Sequence, residues 1–293
     1  MSNWLVVLDP IEGLVSKTDT SIAIINQARL SGITVDTATI EQLYFETRAS
    51  VIATDSDGKQ QNKALADYAL ILMRKEPPYD LAFHYATHLL SLSGTLVINS
   101  PSSLRNFNEK LIALPFIEYM PPTLVSSDPE LIMEFLVRQG TGVIKSLDSF
   151  QGKSVQKIAA SDHKKVNAYT KNGEQPVMVQ KFLENVFEGD KRVMMLGDTL
   201  LGAVLRKPRQ GYHASFAYSD ALQTELTTRE QQIISKVGPW LLKHGIHFAG
   251  LDFIDQKLTE INITCPTGIV QISEIEGRKL AEEIVNYFSN LLP

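Results

Sequence analysis

Acidic and amide side chains interrupt two apolar, strand-like segments near the C-terminus. Asp252 lies inside "GLDFI", and Glu260 and Asn262 lie two residues apart in "LTEINIT". Residues two apart on a strand point to the same face, so a carboxylate and an amide oxygen would share one side, with Asp252 on a neighbouring strand. Oxygen donors of this kind suit Mg²⁺, which proteins hold through one or two carboxylates together with substrate phosphates. The alternative is a strand with one solvated face, which is common in antiparallel sheets.

Basic residues next to strand-like runs offer ligands for phosphate. Lys145 ends the apolar run "GVIK", where its ammonium group needs either a partner or a path to water. Arg192 opens the strand-like "RVMM", and arginine forms bidentate contacts with phosphate and carboxylate groups. Lys110 and Lys181 carry no signal of their own. Taken alone, the local sequence leaves a phosphate-binding role and an ordinary structural role open for all four residues.

Other kinds of site find less support. Among the six histidines we expect no pair with a helical metal-ligand spacing such as H-E-x-x-H. A G-x-S-x-G nucleophile motif is also absent. The single cysteine, Cys265, excludes an intrachain disulfide and a multi-cysteine zinc site. We expect it to be a small packing residue.

The first third of the chain alternates strand and helix patterns. The apolar runs "WLVVLD" and "YALILMR" are typical of strands buried on both faces, and "ITVDTAT" and "TLVINS" add two more strands. Helical spacing covers residues 18–30 and "DLAFHYATHLLSLSG". The stretch "SSLRNFNEKLIALPF" predicts a serine-capped helix that carries Lys110. This alternation predicts an α/β fold that begins with a parallel βαβ sheet.

The pattern changes after the proline-rich residues 114–123, which we take as a domain boundary. Short strands on tight turns then predict antiparallel sheets. The stretch "TTREQQIISKVGPWLLKHG" predicts a helix that is broken or kinked near Gly238 and Pro239. We therefore divide the chain into an N-terminal domain, residues 1–120, and a second domain, residues 121–293. The second domain would consist of a small part, about 121–185, and a larger part, about 186–293.

Bulk composition limits the partners. The net charge of −5 over 293 residues does not favour a nucleic-acid backbone. No apolar run approaches the roughly 18–20 residues that span a bilayer. The N-terminus "MSNWLVVLDP" lacks the basic and long apolar regions of a secretory signal. We expect a cytoplasmic protein that acts on small molecules.

Four stretches make the chain similar to a known family. "LMRKEPPYD", "NSPSSLRNFNEKL", "GDKRVMM" and "LDFIDQKLTEINITCPTG" resemble bacterial glutathione synthetases of the ATP-grasp superfamily, and the likeness runs over essentially the whole chain. The resemblance implies a pre-ATP-grasp domain followed by an ATP-grasp fold with antiparallel sheets. It implies that ATP phosphorylates the carboxylate of γ-glutamylcysteine, after which the amine of glycine displaces phosphate. It also implies a homo-oligomer.

The resemblance further assigns roles to single residues. The assigned residues form four sets, which would bind the ATP phosphates, the adenine, the metal ion and the substrates. These groups are Lys110, Lys145 and Arg192 at the phosphates, Gln180, Lys181, Phe182 and Leu183 at the adenine, Asp252, Glu260 and Asn262 at Mg²⁺ or Mn²⁺, and Arg74, Thr264, Cys265, Thr267 and Gly268 on the substrate side. Lys145 and Arg192 are also the expected catalytic residues.

One segment departs from the family pattern. The lid segment, residues 207–227, has one glycine and no arginine after Arg209, where the family has an arginine and a glycine-rich run. It carries Tyr212, Phe216 and Tyr218 instead, and His213 is the basic residue nearest the expected place. The segment either packs on its own domain or forms a changed acceptor pocket that includes His213. A ligase with another acceptor, a phosphotransferase and a non-catalytic nucleotide-binding protein are the alternatives to glutathione synthesis.

Overall fold

The first sheet is built around strands that are buried on both faces. A computed structural model describes residues 2–148, 155–212 and 215–293. The strands of its first sheet are β1 (Asn3–Val7), β2 (Thr34–Ala38), β3 (Leu43–Phe45), β4 (Ala49–Thr54), β5 (Gln60–Ala64), β6 (Leu70–Met73) and β7 (Leu96–Ile98). Leu5 and Val7 enter one apolar core, whereas Trp4 and Val6 enter another. The continuous apolar run of β1 therefore forms a strand covered on both sides, as predicted.

The predicted parallel pairing describes one part of this sheet. Strands β2, β1, β6 and β7 lie side by side and parallel. Strands β3, β4 and β5 form an antiparallel extension next to β2, which the sequence analysis did not predict. The links between these three strands are only a few residues long, and such short links join antiparallel strands. The sheet is therefore mixed.

Three helices accompany the first sheet. They are α1 (Thr20–Leu30), α2 (Leu81–Ser91) and α3 (Pro101–Asn106). Aspartates cap the N-termini of α1 and α2. Asp19 accepts a hydrogen bond from the Ile22 N–H, and Asp80 accepts one from the Phe83 N–H. Both helices lie where helical spacing was expected.

The single helix predicted around Lys110 is wrong. Helix α3 ends at Asn106, a 3₁₀ helix covers Leu111–Tyr119, and Lys110 lies in the turn between them. Asn108 causes the break, since its side-chain oxygen accepts hydrogen bonds from the N–H groups of Lys110 and Leu111. The expected serine cap is also missing, as Ser100 precedes the helix without a side-chain capping bond.

A small antiparallel sheet follows. Its strands are β8 (Thr123–Ser126), β9 (Gly142–Ser146), β10 (Val155–Ile158) and β11 (Val177–Lys181), in the order β10-β9-β11-β8. Helices α4 (Pro129–Gln139) and α5 (His163–Thr170) pack on it. Ile132, Ile144, Val166 and Val179 lie in a core that belongs to this unit alone. The antiparallel pairing confirms the prediction, whereas α5 was not predicted.

The last sheet is also antiparallel. Its strands are β12 (Asp190–Leu196), β13 (Thr199–Pro208), β14 (Ser219–Leu222), β15 (Phe248–Ile254) and β16 (Lys257–Asn262), in the order β14-β13-β12-β15-β16. Helices α6 (Thr228–Lys243), α7 (Ile269–Glu276) and α8 (Leu280–Asn290) complete this part. Phe288 of α8 packs against Trp4, with ring centroids 6.4 Å apart. The C-terminal helix therefore closes one face of the first sheet.

Helix α6 is continuous through Gly238 and Pro239, so a break there is wrong, whereas the alternative of a kink stays a prediction. A capping box of Thr227 and Glu230 begins the helix, which runs unbroken to Lys243. Gly238 instead lets the helix lie close to the backbone of Asp198, because a Cβ atom at this position would clash with the Asp198 carbonyl oxygen. None of the helices in the described part of the chain has the length and apolar character to cross a membrane.

The three sheets follow one another along the chain. Their strands occupy residues 3–98, 123–181 and 190–262. No strand of the described residues crosses position 120 or 185, and the division into domains at these positions stays our proposal.

Candidate active site

A cavity of about 360 Å³ lies between the two antiparallel sheets. We call it the central cavity. This volume is within the usual range for small-molecule sites. Most of the residues assigned from the sequence line it, namely Lys110, Lys145, Gln180, Lys181, Phe182, Leu183, Arg192, Asp252, Glu260, Asn262, Thr264, Cys265 and Thr267. Arg74 and Gly268 are outside the lining, and His213 is outside the described residues.

Strands β15 and β16 bring the three candidate metal ligands together. Asp252 is paired directly opposite Glu260, and Gly250 is paired opposite Asn262. The Asn262 side-chain nitrogen lies 3.2 Å from Asp252 Oδ2, which leaves the amide oxygen of Asn262 available. Two carboxylates and an amide oxygen on one wall fit a hard divalent cation. No cluster of three or more His, Cys, Asp or Glu side chains occurs within the described ranges, and the expected role of Asn262 as a third donor stays a prediction.

Two guanidinium groups hold the Asp252 carboxylate. Arg192 reaches it with Nε at 2.5 Å from Oδ1 and with Nη2 at 3.1 Å from Oδ2, and Arg206 Nη2 lies 3.0 Å from Oδ1. Burial alone would raise the pKa of Asp252, but the two arginines outweigh burial and hold the pKa below its usual range. Arg206 also contacts Asp190 Oδ2 at 2.8 Å. Burial dominates at Asp190 and raises its pKa to about 7.

Two lysines face the same wall. Lys110 Nζ lies 3.7 Å from Glu260 Oε1. Lys145 is 8% exposed, and no carboxylate of the described residues lies within ion-pair distance of its ammonium group. Burial therefore lowers the pKa of Lys145, although Glu260 acts in the opposite direction. The cavity thus presents a desolvated cation that an anionic ligand would stabilise.

The expected adenine segment forms the far end of the cavity. The Lys181 N–H donates to the Pro122 carbonyl and the Phe182 N–H donates to the Thr141 carbonyl, both over 2.9 Å. Phe182 also packs in an aromatic group, with Tyr212 edge-on at 5.8 Å. Phe182 therefore shapes the rim, and the Leu183 carbonyl next to it accepts a hydrogen bond from the Val186 N–H over 3.1 Å.

Arg74 supports the substrate-side turn from behind. It is buried, its Nε donates to Ser21 Oγ over 3.0 Å, and its Nη2 donates to the Pro266 carbonyl over 2.9 Å. Gly268 follows the same turn, and its N–H donates to Thr20 Oγ1 over 3.2 Å. Both residues tie the turn to helix α1, and the substrate contact expected from the family resemblance stays a prediction.

Glu109 also holds this turn, and the sequence analysis missed it. Its Oε1 accepts hydrogen bonds from the Ile263 N–H at 2.6 Å and from the N–H and hydroxyl of Thr264, each at 2.8 Å. Burial raises the pKa of Glu109. The adjacent Lys110 was recognised only through the family resemblance, and nothing local distinguishes Glu109. Arg206 was missed as well, although its charge interrupts the apolar run "GAVLR" in the way that Lys145 interrupts "GVIK".

The described part of the lid segment folds against the cavity. Ser215, Phe216 and Tyr218 line it, and the Phe216 ring lies 5.5 Å from the Arg206 guanidinium carbon. A Cβ atom on Gly268 would come within 2.8 Å of the Phe216 ring, so only glycine leaves room for this contact. Strand β14 continues the segment and pairs with β13. The aromatic residues therefore face the site as well as packing on their own sheet.

Comparisons with known proteins identify the family of the chain. Residues 3–105 match the N-terminal domain of prokaryotic glutathione synthetase, and residues 109–277 match its ATP-grasp domain. Glutathione synthetases from Prochlorococcus marinus (strain MIT 9313) and from Synechocystis sp. are 37% and 35% identical, covering 96% and 95% of this chain and 96% of each relative.

A solved structure extends the likeness to the fold. A Chryseobacterium gregarium RiPP-associated ATP-grasp ligase, in complex with ADP and a leader and core peptide, superposes with a TM-score of 0.70 at 13% identity. The match covers 100% of this chain and 98% of that one. The chain therefore belongs to the prokaryotic glutathione synthetase family of ATP-grasp ligases.

Proposed function

We propose that this ligase joins the carboxylate of γ-glutamylcysteine to the amine of glycine, with ATP and Mg²⁺. The observation that carries the proposal is the pairing of opposite charges in one cavity. The oxygen donors of Asp252, Glu260 and Asn262 form one wall, and Lys110 and Lys145 face it. A nucleotide triphosphate with its metal ion matches both halves of this arrangement.

In the first step the substrate carboxylate attacks the γ-phosphorus of ATP. A new O–P bond forms, the bond to the β-phosphate oxygen breaks, and ADP leaves an acyl phosphate behind. The ammonium groups of Lys110 and Lys145 bind the phosphates, and burial of Lys145 strengthens its attraction because the surroundings have a low dielectric constant. Asp252, Glu260 and Asn262 would hold Mg²⁺, and the bound ion would neutralise negative charge on the phosphoryl group.

In the second step the amine of glycine attacks the acyl carbon. The C–N bond forms, the C–O bond to phosphate breaks, and the amine loses a proton. The chain has to keep water away during this step, because an acyl phosphate in an open site is lost to hydrolysis. Phe216 and Tyr218, which line the cavity, are placed to exclude water from it.

A second candidate is a ligase of the same chemistry with another amine acceptor. The contact of Phe216 with Arg206 and Gly268 favours it. Bulky rings at the lid change the volume open to an acceptor. Under this alternative the nucleotide half of the site is unchanged and only the second substrate differs.

One assay distinguishes these functions. ADP and phosphate release is measured with ATP, Mg²⁺ and γ-glutamylcysteine, with and without glycine. Glutathione synthesis requires release that depends on both substrates, with the tripeptide found by mass spectrometry. Release without any amine would indicate a phosphotransferase or hydrolysis, and no release would indicate a nucleotide-binding protein. Release of ADP and phosphate that occurs only with an amine other than glycine would establish the second candidate.

We also propose a cytoplasmic homo-oligomer. The likeness to the family over most of the chain supports this, and consumption of ATP is consistent with the cytoplasm. Light scattering coupled to gel filtration measures the assembly. A mass of 32.6 kDa, that of a single chain, would contradict it.

A further inference from the structure

Two histidines face each other on helix α2, away from the central cavity. His84 and His88 lie four residues apart in "FHYATHLL", and their Nε2 atoms are 3.2 Å apart. Residues four apart share one face of a helix. The sequence analysis considered only the H-E-x-x-H motif, so its expectation that no histidine pair has metal-ligand spacing was wrong.

The distance between the two nitrogens matches that of two ligands on one ion. Imidazole nitrogen binds Zn²⁺ at about 2.0–2.1 Å. Two such bonds place the nitrogens about 3.0 Å apart at a right angle and about 3.4 Å apart at the tetrahedral angle. The observed separation falls between these values. The separation is therefore compatible with one ion between the two nitrogens, which would replace the hydrogen bond that now joins them.

A third side chain orients the pair. Tyr79 Oη lies 3.0 Å from His84 Nδ1, and its ring meets the imidazole edge-on at 6.0 Å. When the tyrosine oxygen accepts the Nδ1 proton, the lone pair of His84 Nε2 points toward His88. Such outer contacts are a regular feature of metal-binding histidines, because they fix the tautomer and the ring.

Arg105 packs along the same helix, since its Nη1 donates to the Thr87 carbonyl and to Ser91 Oγ, both over 2.9 Å. Metal binding requires the neutral form of both imidazoles.

We propose that His84 and His88 form a binding site for one late first-row divalent cation, such as Ni²⁺ or Zn²⁺, with water completing its coordination. Imidazole selects these ions over Mg²⁺, which prefers oxygen. The described chain offers no third His, Cys, Asp or Glu there, so the ion exchanges with solution. Helix α2 contributes nothing to the lining of the central cavity, so this site is separate from the catalytic one and independent of the proposed reaction.

The test is calorimetric titration of the untagged full-length chain with Ni²⁺, and then with Zn²⁺, in an excess of Mg²⁺. We expect one ion per chain, and at least a tenfold loss of affinity in His88→Ala because a single imidazole remains. Tyr79→Phe should weaken binding by roughly tenfold, as expected for an outer contact. His163→Ala, which removes an exposed histidine from α5, is the matched control and should bind like the parent.

Two results would overturn the site. The first is unchanged affinity in His88→Ala, and the second is an equal loss in His163→Ala. Ligase turnover is measured in parallel with Mg²⁺ alone, where His88→Ala should equal the parent. Circular dichroism of each variant checks that the fold is retained, so that a loss of metal binding can be attributed to the removed side chain.

Discussion

Charged residues of the site neutralise one another when no ligand is present. Arg192 and Arg206 share the carboxylate of Asp252, and Asp190 pairs with Arg206 from the other side. Buried charges require such partners, since an unpaired one would cost several kcal/mol. Asp190 Oδ1 and Arg206 Nε still lack a hydrogen-bond partner among the described residues. Both atoms are buried, so they add to the cost of keeping these charges in the interior.

Asp252 and Glu260 should differ in what they contribute to stability. Asp252→Asn removes a buried charge that holds two arginines, so we expect it to lower the free energy of unfolding by about 3 kcal/mol. Glu260 is 24% exposed in its side chain, and its contact with Lys110 is 3.7 Å long. Glu260→Gln should therefore change stability by less than about 1 kcal/mol. Urea unfolding followed by fluorescence measures both.

Asp252 and Glu260 should be equally necessary for catalysis. Loss of either carboxylate removes a metal ligand, and both variants should lose ligase activity. If Glu260→Gln keeps full turnover at all Mg²⁺ concentrations, the metal assignment fails. Glu134→Gln, which alters an exposed carboxylate on α4, serves as the control for both measurements.

Lys145 should contribute to nucleotide binding, while its buried charge should lower the stability of the folded chain. In Lys145→Met we expect the dissociation constant of ATP to rise by roughly 10–100-fold, because a charge-assisted contact of about 1.5–3 kcal/mol is lost. Isothermal titration with Mg²⁺ and ATP measures it. Lys164→Met, on the exposed side of the same subdomain, should bind ATP like the parent, and an equal effect in both variants would contradict the assignment.

The stability of the parent should depend on pH through Lys145. Burial lowers its pKa below the ordinary 10.5, so the folded chain binds fewer protons there than the unfolded chain. The penalty for the buried charge is complete below the lowered pKa and disappears as the pH rises toward 10.5. Lys145→Met should therefore melt higher than the parent at pH 7, and the difference in melting temperature should shrink by pH 10. A constant difference would show that charge is not the cause.

At the scale of elements, the turn after β16 depends on hydrogen bonds from outside its own sheet. Glu109 accepts the N–H groups of Ile263 and Thr264, and Arg74 donates to the carbonyl of Pro266. Both come from segments more than 150 residues earlier in the chain. The turn therefore takes its shape only when the N-terminal sheet and the last sheet are packed together.

Glu109→Ala and Glu109→Gln should separate hydrogen bonding from charge at this turn. Alanine leaves two buried N–H groups without an acceptor, which costs about 1–3 kcal/mol each. Glutamine keeps an oxygen in place, so most of that loss should be rescued. Thermal unfolding compares the two variants, and KM for the peptide substrate should rise more in the alanine variant than the ATP dissociation constant does. Equal unfolding temperatures in both variants would rule out the hydrogen-bonding role.

These contacts show which elements the sequence could predict. Alternation along β15 and β16 was sufficient to place Glu260 and Asn262 on one face, because strand periodicity is local. The break before Lys110 depends on one Asn108 side chain, and the role of Glu109 depends on partners far away in sequence. Neither leaves a periodic signal. The antiparallel extension of β3, β4 and β5 was missed because its short strands lack a long apolar run.

At the scale of the whole molecule, the two ends of the chain share their cores. Trp4 of the first strand packs with Phe288 of the last helix, and Phe248 lies in the same cluster. The small unit of β8–β11 has a separate core and forms the opposite wall of the cavity. Met178 of β11 nevertheless lies in the larger core, so the small unit is also packed against the rest of the molecule.

The lid determines the prediction for the complete enzyme. The resemblance to the family predicts that aromatic residues stand in this segment in place of the family's glycines and arginine, and that the nucleotide wall is unchanged. We therefore expect ordinary ATP binding, together with slow glutathione formation or a preference for another amine. Phe216→Gly should change the relative kcat/KM for glycine and larger amino acids by about tenfold or more, because pocket contacts of about 1–3 kcal/mol decide such ratios. Its affinity for ATP should match that of the parent. A parent kcat above about 1 s⁻¹ with γ-glutamylcysteine and glycine, within the common range for enzymes, would show that the changed lid still serves glutathione synthesis.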